Sequence, residues 1–355
     1  MRLKKLIKEL GARNALPYLV TDPVNIRYLT GFAGTYAYLV VGANRSHFIT
    51  DSRYEEYAGS ILPKSVELLL QKKDFIDSLR SVLKERGAKE LFIEEHSTPL
   101  SLYRAIKTRL KGVALTPGGD EVNRLRMIKD EDEIDVIRHA AKIVDACGEH
   151  LKKIVRPGDG EWDIAVEIEH FFRKHGARKS GFDSIVASGP GSSMPHYVTS
   201  MTKKLHSGDP LLVDMGCEFQ GYNSDLTRTL FITSIDPALE AIYRVVREAQ
   251  EAAVSAVKPG VTTGKLDAVA RGIIDDAGYG TYFGHSLGHG IGMEVHELPA
   301  LKEGETALKK NMVVTIEPGI YLPGVGGVRI EDMVLVTAKG CESLTGSSKE
   351  IIIIG

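Results

Sequence analysis

The sequence predicts a two-domain α/β protein: a smaller N-terminal α/β domain, then a larger domain built from two related α/β halves. Three observations carry this expectation. The chain has 355 residues, more than the roughly 100–200 residues of one ordinary domain. Thr116-Pro117-Gly118-Gly119 is the sharpest break in it, a proline and two glycines that end any helix. Beyond that break Val155-Arg156-Pro157-Gly158 recurs as Val257-Lys258-Pro259-Gly260. The domains are accordingly placed at 1–118 and 119–355.

In chain order, 37–41, 46–49 and Glu90–Ile93 read as short strands, and Phe75–Glu85 and 100–110 have helical spacing. After the break, Ile134, Ile137, Ala141, Val144, Gly148, Leu151 and Val155 form one stripe of a long amphipathic helix, stopped by Pro157-Gly158. Leu239, Ile242, Val246, Ala249 and Ala253 form a second such stripe ahead of Pro259-Gly260. Each Val-x-Pro-Gly copy precedes another helix, starting near Trp162 and Gly264, and Gly176 answers Gly278 at the same offset. Apolar strands follow both. Two related halves with a cleft where their sheets meet account for this. Chance is the alternative, since Pro-Gly is a common helix terminator.

Composition excludes several classes. Hydrophobic residues at 43% with 26% charged fit a globular enzyme and not a disordered or fibrous chain. The balance of 45 basic against 47 acidic residues gives −2 and offers no basic excess for nucleic acid or an anionic membrane. The longest apolar run is six residues, 36–41, far short of the ~20 a membrane span needs. Lys8 and Glu9 interrupt the N-terminal apolar residues, so no signal-peptide core forms. Cys147, Cys217 and Cys341 lack CxxC spacing, which leaves neither a disulfide framework nor a zinc ribbon. A cytoplasmic protein is expected.

Three segments hold residues capable of chemistry. Asp214 ends an apolar strand, and a turn at Gly221 leads to a second strand. An Asp at a strand end is by itself more often a turn former than a ligand. Here the second strand alternates, with Ser224, Leu226, Leu230 and Ile232 on one face and Asp225, Thr227 and Thr229 on the other. A hairpin would bring both aspartates into one polar site, where uncompensated carboxylates are costly and a metal compensates them.

His285, His289 and His296 lie within Gly284–Glu297, among glycines at 284, 288, 290 and 292 that argue against a helix. An extended backbone fits better, and polar loop histidines are the plain alternative. Finally Glu317, in Glu317-Pro318-Gly319, precedes a glycine-rich turn and Val328-Arg329-Ile330-Glu331-Asp332. Alternation there puts Arg329 beside Glu331; a surface Arg–Glu pair, worth little, is the alternative. Together Asp214, Asp225, His289, Glu317 and Glu331 offer four carboxylates and one imidazole. Two divalent cations would balance them, and such a donor set suits Mn²⁺, Co²⁺ or Zn²⁺. Two metals about 3.5–4 Å apart can hold a hydroxide between them and polarise a carbonyl.

These five residues, in the order D-x-G-x₄-GY-x-SD-x-TRT, GHGIG-x₃-HE-x-P, EPG and VRIED, resemble the aminopeptidase P and prolidase family of Xaa-Pro peptidases, the M24 metallopeptidases. The stretch from Thr21 to Phe32, TDPVNIRYLTGF, is similar to the family's smaller domain, so the resemblance spans nearly the whole chain. It implies a pita-bread catalytic domain of two pseudo-symmetric halves behind a ribonuclease-H-like N-terminal domain. It further implies two divalent ions per subunit, Mn²⁺ or Co²⁺ ahead of Zn²⁺, a peptide substrate with proline second, and a homodimer. Asp214 would bind one metal, Asp225 and Glu331 both, and His289 and Glu317 would complete the set, with Glu317 also the general base. His196 and His296 match histidines that contact substrate and steady the oxyanion or the leaving nitrogen. His285 matches a pocket histidine, and Arg329 an arginine that orders the site and is grouped with the substrate-binding residues.

Many prolidases carry an arginine after HE-x-P, thought to grip a dipeptide's carboxylate. Here Ala300 follows Pro299, so a charge-assisted clamp is missing. The expectation therefore ranks removal of an N-terminal residue from longer Xaa-Pro peptides first and Xaa-Pro dipeptide cleavage second. Methionine aminopeptidase and a non-catalytic peptide- or nucleic-acid-binding pita-bread module are remote. The first usually lacks such an N-terminal domain; the second typically has degraded ligands.

Overall fold

The computed structural model describes residues 2–71 and 73–355. The chain divides into two compact units, one ending at Arg126 and one spanning Met127–Gly355. The first unit carries helices Arg2–Ala12 (α1), Pro23–Thr30 (α2), Glu55–Ile61 (α3), Phe75–Glu85 (α4), Leu100–Arg109 (α5) and Glu121–Arg126 (α6). Its strands are Tyr18–Val20 (β1), Tyr38–Val41 (β2), Ser46–Thr50 (β3), Val66–Leu70 (β4), Glu90–Ile93 (β5) and Ala114–Pro117 (β6). They form one sheet in the order β4-β3-β2-β1-β5-β6. β1, β2 and β3 pair antiparallel, while β5 and β6 run parallel to β1. The segment 116–119 closes β6 and leads into α6, within the first unit.

Local chemistry explains these elements. α4 is capped by Asp74, whose carboxylate accepts from Asp77 N, and its Phe75, Ile76, Leu79, Val82 and Leu83 pack on Leu19, Val40, Ile49 and Leu91 of the sheet. Asp22 caps α2 ahead of Pro23 at the first helical position. Buried Glu94 accepts from Thr21 N, Asp22 N, Asn25 Nδ2 and Ser97 Oγ, fixing the turn that starts α2.

The second unit holds four longer helices, Glu131–Ile154 (α7), Glu161–Lys174 (α8), Pro237–Ala256 (α9) and Thr263–Asp276 (α10). After α8 come strands Lys179–Ser180 (β7), Ile185–Ser188 (β8), Pro210–Met215 (β9), Cys217–Phe219 (β10), Tyr222–Asn223 (β11) and Leu226–Ile232 (β12). After α10 come Gly288–Gly290 (β13), Glu297–Leu301 (β14), Val313–Ile316 (β15), Gly319–Leu322 (β16), Gly326–Arg329 (β17), Asp332–Val336 (β18), Cys341–Ser343 (β19) and Ile353–Ile354 (β20). The two main sheets are β20-β12-β9-β8 and β14-β13-β15-β18-β19. One core joins α7 and α8 to the first sheet through Val144, Leu151, Phe172, Val213 and Leu230. The other joins α9 and α10 to the second through Val246, Leu266, Val314 and Val334. No helix among the described residues is long and apolar enough to cross a membrane, and the three cysteines are free.

The internal repeat is structural. Gly158 N donates to Leu205 O, and Leu205 N returns a bond to Asp159 O; Gly260 N donates to Leu308 O, and Leu308 N returns one to Val261 O. Each turn, lying between the two helices of its pair, is thus pinned to a later segment of the chain in the same way. Both glycines need the left-handed backbone, Gly158 at φ +92° and Gly260 at φ +87°, and a Cβ at either would meet nothing within 4 Å. Gly158→Ala and Gly260→Ala should therefore each cost about 1 kcal/mol, from backbone strain alone. Denaturant unfolding checks this; a loss well above that in either variant would show packing that the turn does not display.

Candidate metal centre

The first half supplies two carboxylates. β9 pairs antiparallel with β12, setting Asp214 opposite Thr227. The hairpin between them turns at Gln220-Gly221, both with positive φ. Asp225 sits at the mouth of β12, where its N–H points at Met333 Sδ. The odd-numbered face of β12 looks into the site, as the alternation requires.

The second half supplies an imidazole and two further carboxylates. His289 lies in β13 on an extended backbone. Gly288 and Gly290 let neighbouring chains close in, since a Cβ at either would collide with the carbonyl of Thr315 or Leu298. Nδ1 of His289 donates to Gly290 O at 3.1 Å, leaving Nε2 3.2 Å from Glu317 Oε1 and 3.7 Å from Asp225 Oδ2. That backbone bond fixes the tautomer a metal ligand needs. Glu317 follows β15 and also accepts from Thr315 Oγ1 at 3.0 Å.

Glu331 lies between β17 and β18; its Oε2 accepts from Thr227 Oγ1 at 2.7 Å. Arg329 is buried beside it but pairs elsewhere. Its Nη2 donates to Asp214 Oδ2 at 2.5 Å, Nε to Thr227 Oγ1 at 3.0 Å, and Nη1 to Tyr321 Oη at 2.9 Å and Pro195 O at 3.4 Å. Neither residue is part of a surface Arg–Glu pair.

Three buried carboxylate oxygens of this cluster have no hydrogen-bond partner among the described residues: Asp214 Oδ1, Asp225 Oδ1 and Glu331 Oε1. Buried acceptors of this kind are rare and call for explanation. The contrast with the next residue is direct. Asp332 faces the opposite side of its strand and accepts from Arg228 Nη2, Thr345 Oγ1 and Gln250 Nε2, with Lys349 Nζ at 2.7 Å. Of two adjacent buried acids, one is saturated with donors and the other keeps a bare oxygen. Ligand atoms of Asp225, His289 and Glu331 all lie within 4.8 Å of one another. Oxygen donors with one imidazole fit a hard or borderline divalent cation.

Charge arithmetic points the same way. Taken as protein groups alone, burial and then repulsion from neighbouring carboxylates push Asp225 and Glu331 well above the usual carboxylate range. Burial also raises Asp214, against the opposing field of Arg329. Burial opposes ionisation of Glu317 too, but the hydrogen bond and charge of His289 outweigh it and hold Glu317 at about 2. Burial in turn disfavours charge on His289, and Glu317 more than reverses this, so His289 is raised.

The remaining expected residues surround this cluster. The His296 ring lies 4.2 Å from the His289 ring, centroid to centroid. Burial lowers the pKa of His285; its Nδ1 donates to Ser286 O, which leaves Nε2 to accept from Tyr321 Oη at 2.9 Å. His196 is exposed on the loop after the 3-10 turn Gly189–Ser193. Its field reaches His285 and His296, and its ring makes no hydrogen bond among the described residues. Sequence reasoning missed two residues. Thr227 was visible on the same strand face as Asp225 without a role, whereas nothing in the sequence singles out Tyr321.

Comparison with known proteins agrees with this geometry. Residues 135–338 match metallopeptidase family M24, and residues 2–128 match the creatinase/prolidase N-terminal domain. The chain is similar to an Xaa-Pro dipeptidase of Pyrococcus horikoshii, 37% identical over 355 residues and covering 99% of this chain and 98% of that one. Among solved structures it is similar to an Xaa-Pro dipeptidase from Bacillus anthracis, at 40% identity and TM-score 0.96 with 99% of each chain covered. It is also similar to an X-Pro aminopeptidase from Thermotoga maritima, at 37% identity and TM-score 0.87, covering 95% of this chain and 97% of that one.

Metal loading at this cluster must displace the proton that Glu317 favours on His289 and those that burial favours on Asp225 and Glu331. Binding of Mn²⁺ or Co²⁺ to chelator-treated protein should therefore release protons. Its affinity should fall as pH is lowered, by about tenfold per pH unit for each proton released. Calorimetric titration in buffers of different ionisation enthalpy reads the proton count. Affinity that does not change with pH would contradict this account.

Proposed function

The chain belongs to metallopeptidase family M24, and on that premise we propose that it is an Xaa-Pro dipeptidase. The observation that carries the metal-dependent part is the grouping of Asp225 and Glu331, each with an unpartnered buried oxygen among the described residues, around His289. The substrate class rests on relatives named as Xaa-Pro dipeptidases at 37% and 40% identity over essentially the full chain. They reverse the order expected from Ala300 alone, putting dipeptide cleavage first. Removal of an N-terminal residue from longer Xaa-Pro peptides is the second reading, favoured by the missing arginine and the Thermotoga maritima relative.

In this reading Asp214, Asp225, His289, Glu317 and Glu331 hold two divalent ions, Mn²⁺ or Co²⁺ ahead of Zn²⁺. When bound, such ions polarise a carbonyl and acidify water. An Xaa-Pro bond is a tertiary amide with no N–H, so recognition cannot depend on a donor there. Glu317 accepts the proton of the attacking water and returns it to the proline nitrogen, which must be protonated to leave. His196 and His296 offer donors to the developing oxyanion or that nitrogen. His285 has both ring nitrogens engaged by the protein, so in this reading it would meet substrate through its ring carbons alone. Arg329 likewise spends its donors on protein groups, so we assign it to orienting Asp214 rather than gripping substrate. A cytoplasmic homodimer completes the reading; the dimer rests on the family resemblance and the location on composition.

Hydrolysis of an Xaa-Pro dipeptide should exceed that of an Xaa-Pro-Yaa tripeptide and stop with chelator. Glu317→Gln should lower kcat by about 10²–10⁴-fold. Chelator-insensitive turnover would sink the metal assignment, and tripeptide preference would restore the aminopeptidase reading. Position 300 tests specificity directly. Ala300 lies opposite His289 in the β13–β14 pairing, and directly opposed residues share a face. Ala300→Arg should raise the dipeptide-to-tripeptide ratio of kcat/KM by about tenfold, the range of one charge-assisted hydrogen bond. An unchanged ratio would show that another group takes the substrate carboxylate.

A further inference from the structure

Glu161 is the first residue of α8, yet its side chain is fully buried. Burying a carboxylate demands donors, and four hydrogen bonds reach it. Oε1 accepts from Ser188 N at 2.8 Å and Ser188 Oγ at 2.7 Å. Oε2 accepts from Tyr197 Oη at 2.9 Å and Ser200 N at 3.1 Å. Lys203 Nζ sits 3.3 Å from Oε1, and the Glu161 N–H donates to Lys203 O at 3.1 Å. One oxygen therefore grips the end of β8 and the other grips the loop that carries His196.

Around His196 the loop is held on both sides. Behind it, Thr199 Oγ1 accepts from Val186 N and donates to Ser184 O, both at 2.9 Å, so three of the four residues 197–200 are tethered by side chain or backbone. Ahead of it, Pro195 O accepts from Arg329, whose other nitrogen holds Asp214. The exposed His196 ring makes no bond of its own among the described residues, so these flanking anchors set where it stands. We propose that Glu161 is a positioning residue that fixes His196 for the reaction, acting through Tyr197 and Ser200. This rests on the reading that His196 contacts substrate.

The two oxygens of Glu161 make the proposal separable from mere stability. Tyr197→Phe removes a bond on the loop side only, and Ser188→Ala a bond on the β8 side only. Glu161→Gln keeps the volume but turns an NH₂ toward one donor group. On an Xaa-Pro dipeptide, Glu161→Gln should lower kcat/KM by about 10–100-fold, mostly in kcat, the scale of a displaced group near the chemistry. Bound metal should be unchanged. Tyr197→Phe should show part of that loss, and Ser188→Ala should stay within about twofold of wild type at equal or greater loss of Tm.

In a His196→Ala background, Glu161→Gln should add less than about twofold. Equal losses in the Tyr197 and Ser188 variants, or full additivity with His196→Ala, would overturn the proposal. Should Glu161→Gln fail to fold, the cycle of Tyr197→Phe with His196→Ala decides on the same terms. Amide exchange over 195–200 reads the anchor without any substrate: it should quicken in Glu161→Gln and Tyr197→Phe but not in Ser188→Ala, and unchanged protection overturns the anchor. If exchange quickens but His196→Ala keeps full turnover, the anchor is real. The assignment of His196 is then what fails, and with it the catalytic consequence drawn for Glu161.

Discussion

Four carboxylates brought into one largely buried site set the terms for everything around them. Removing each from water costs several kcal/mol unless charge or hydrogen bonds answer it. The protein answers two of the four itself: Arg329 meets Asp214, and His289 meets Glu317. For Asp225 and Glu331 it stops short, leaving a bare buried oxygen on each and another on Asp214. A chain that saturates Asp332 one residue from Glu331 has the means to saturate both. Leaving one acid open beside a closed one is how a protein prepares a place for a cation.

The same strands that carry these acids also bind the two halves together. Thr227 donates to Glu331 on the site side, and its carbonyl accepts the Glu331 N–H. Arg228, pointing the other way, reaches Asp332 at 2.7 Å. Residues 227 and 228 thus make paired links to 331 and 332, one on each face of the strands. The Thr-Arg-Thr and Ile-Glu-Asp stretches are explained by this alternation: one member of each pair serves the site and the other closes the core behind it.

How much was legible in the sequence follows from whether a residue's role is local. Alternation placed Asp225 and Thr227 on one face, glycine density kept His289 off a helix, and the recurrent Val-x-Pro-Gly marked the two halves. Those signals are carried by neighbours within a few positions. Tyr321, Thr227 as the link between Arg329 and Glu331, and Glu161 were not legible, because their partners lie far along the chain and impose no period. Arg329 shows the limit well. Alternation correctly put it on the face of Glu331, but it could not say that the guanidinium passes its neighbour and pairs with Asp214, which no local pattern encodes.

That guanidinium also explains why two sets of contacts behave as one. An arginine presents its donors in a rigid plane, which a lysine cannot imitate. Here Nε takes Thr227, Nη2 takes Asp214, and Nη1 takes both Tyr321 and Pro195. From Tyr321 the bonds run in one direction, because Nδ1 of His285 donates to Ser286 O and its Nε2 accepts a hydrogen bond from the Tyr321 hydroxyl. Asp214, His285 and the loop bearing His196 are therefore joined through one planar group. Moving the Asp214 side chain would rotate that plane, and with it the carbonyl just before His196. The second anchor of that loop, Glu161, lies on the other side of the histidine and is independent of Arg329. A loop tied only through Arg329 would follow every adjustment of Asp214. Tied also by Glu161 at Tyr197 and Ser200, it has a hold beyond His196 that passes through neither Arg329 nor Asp214.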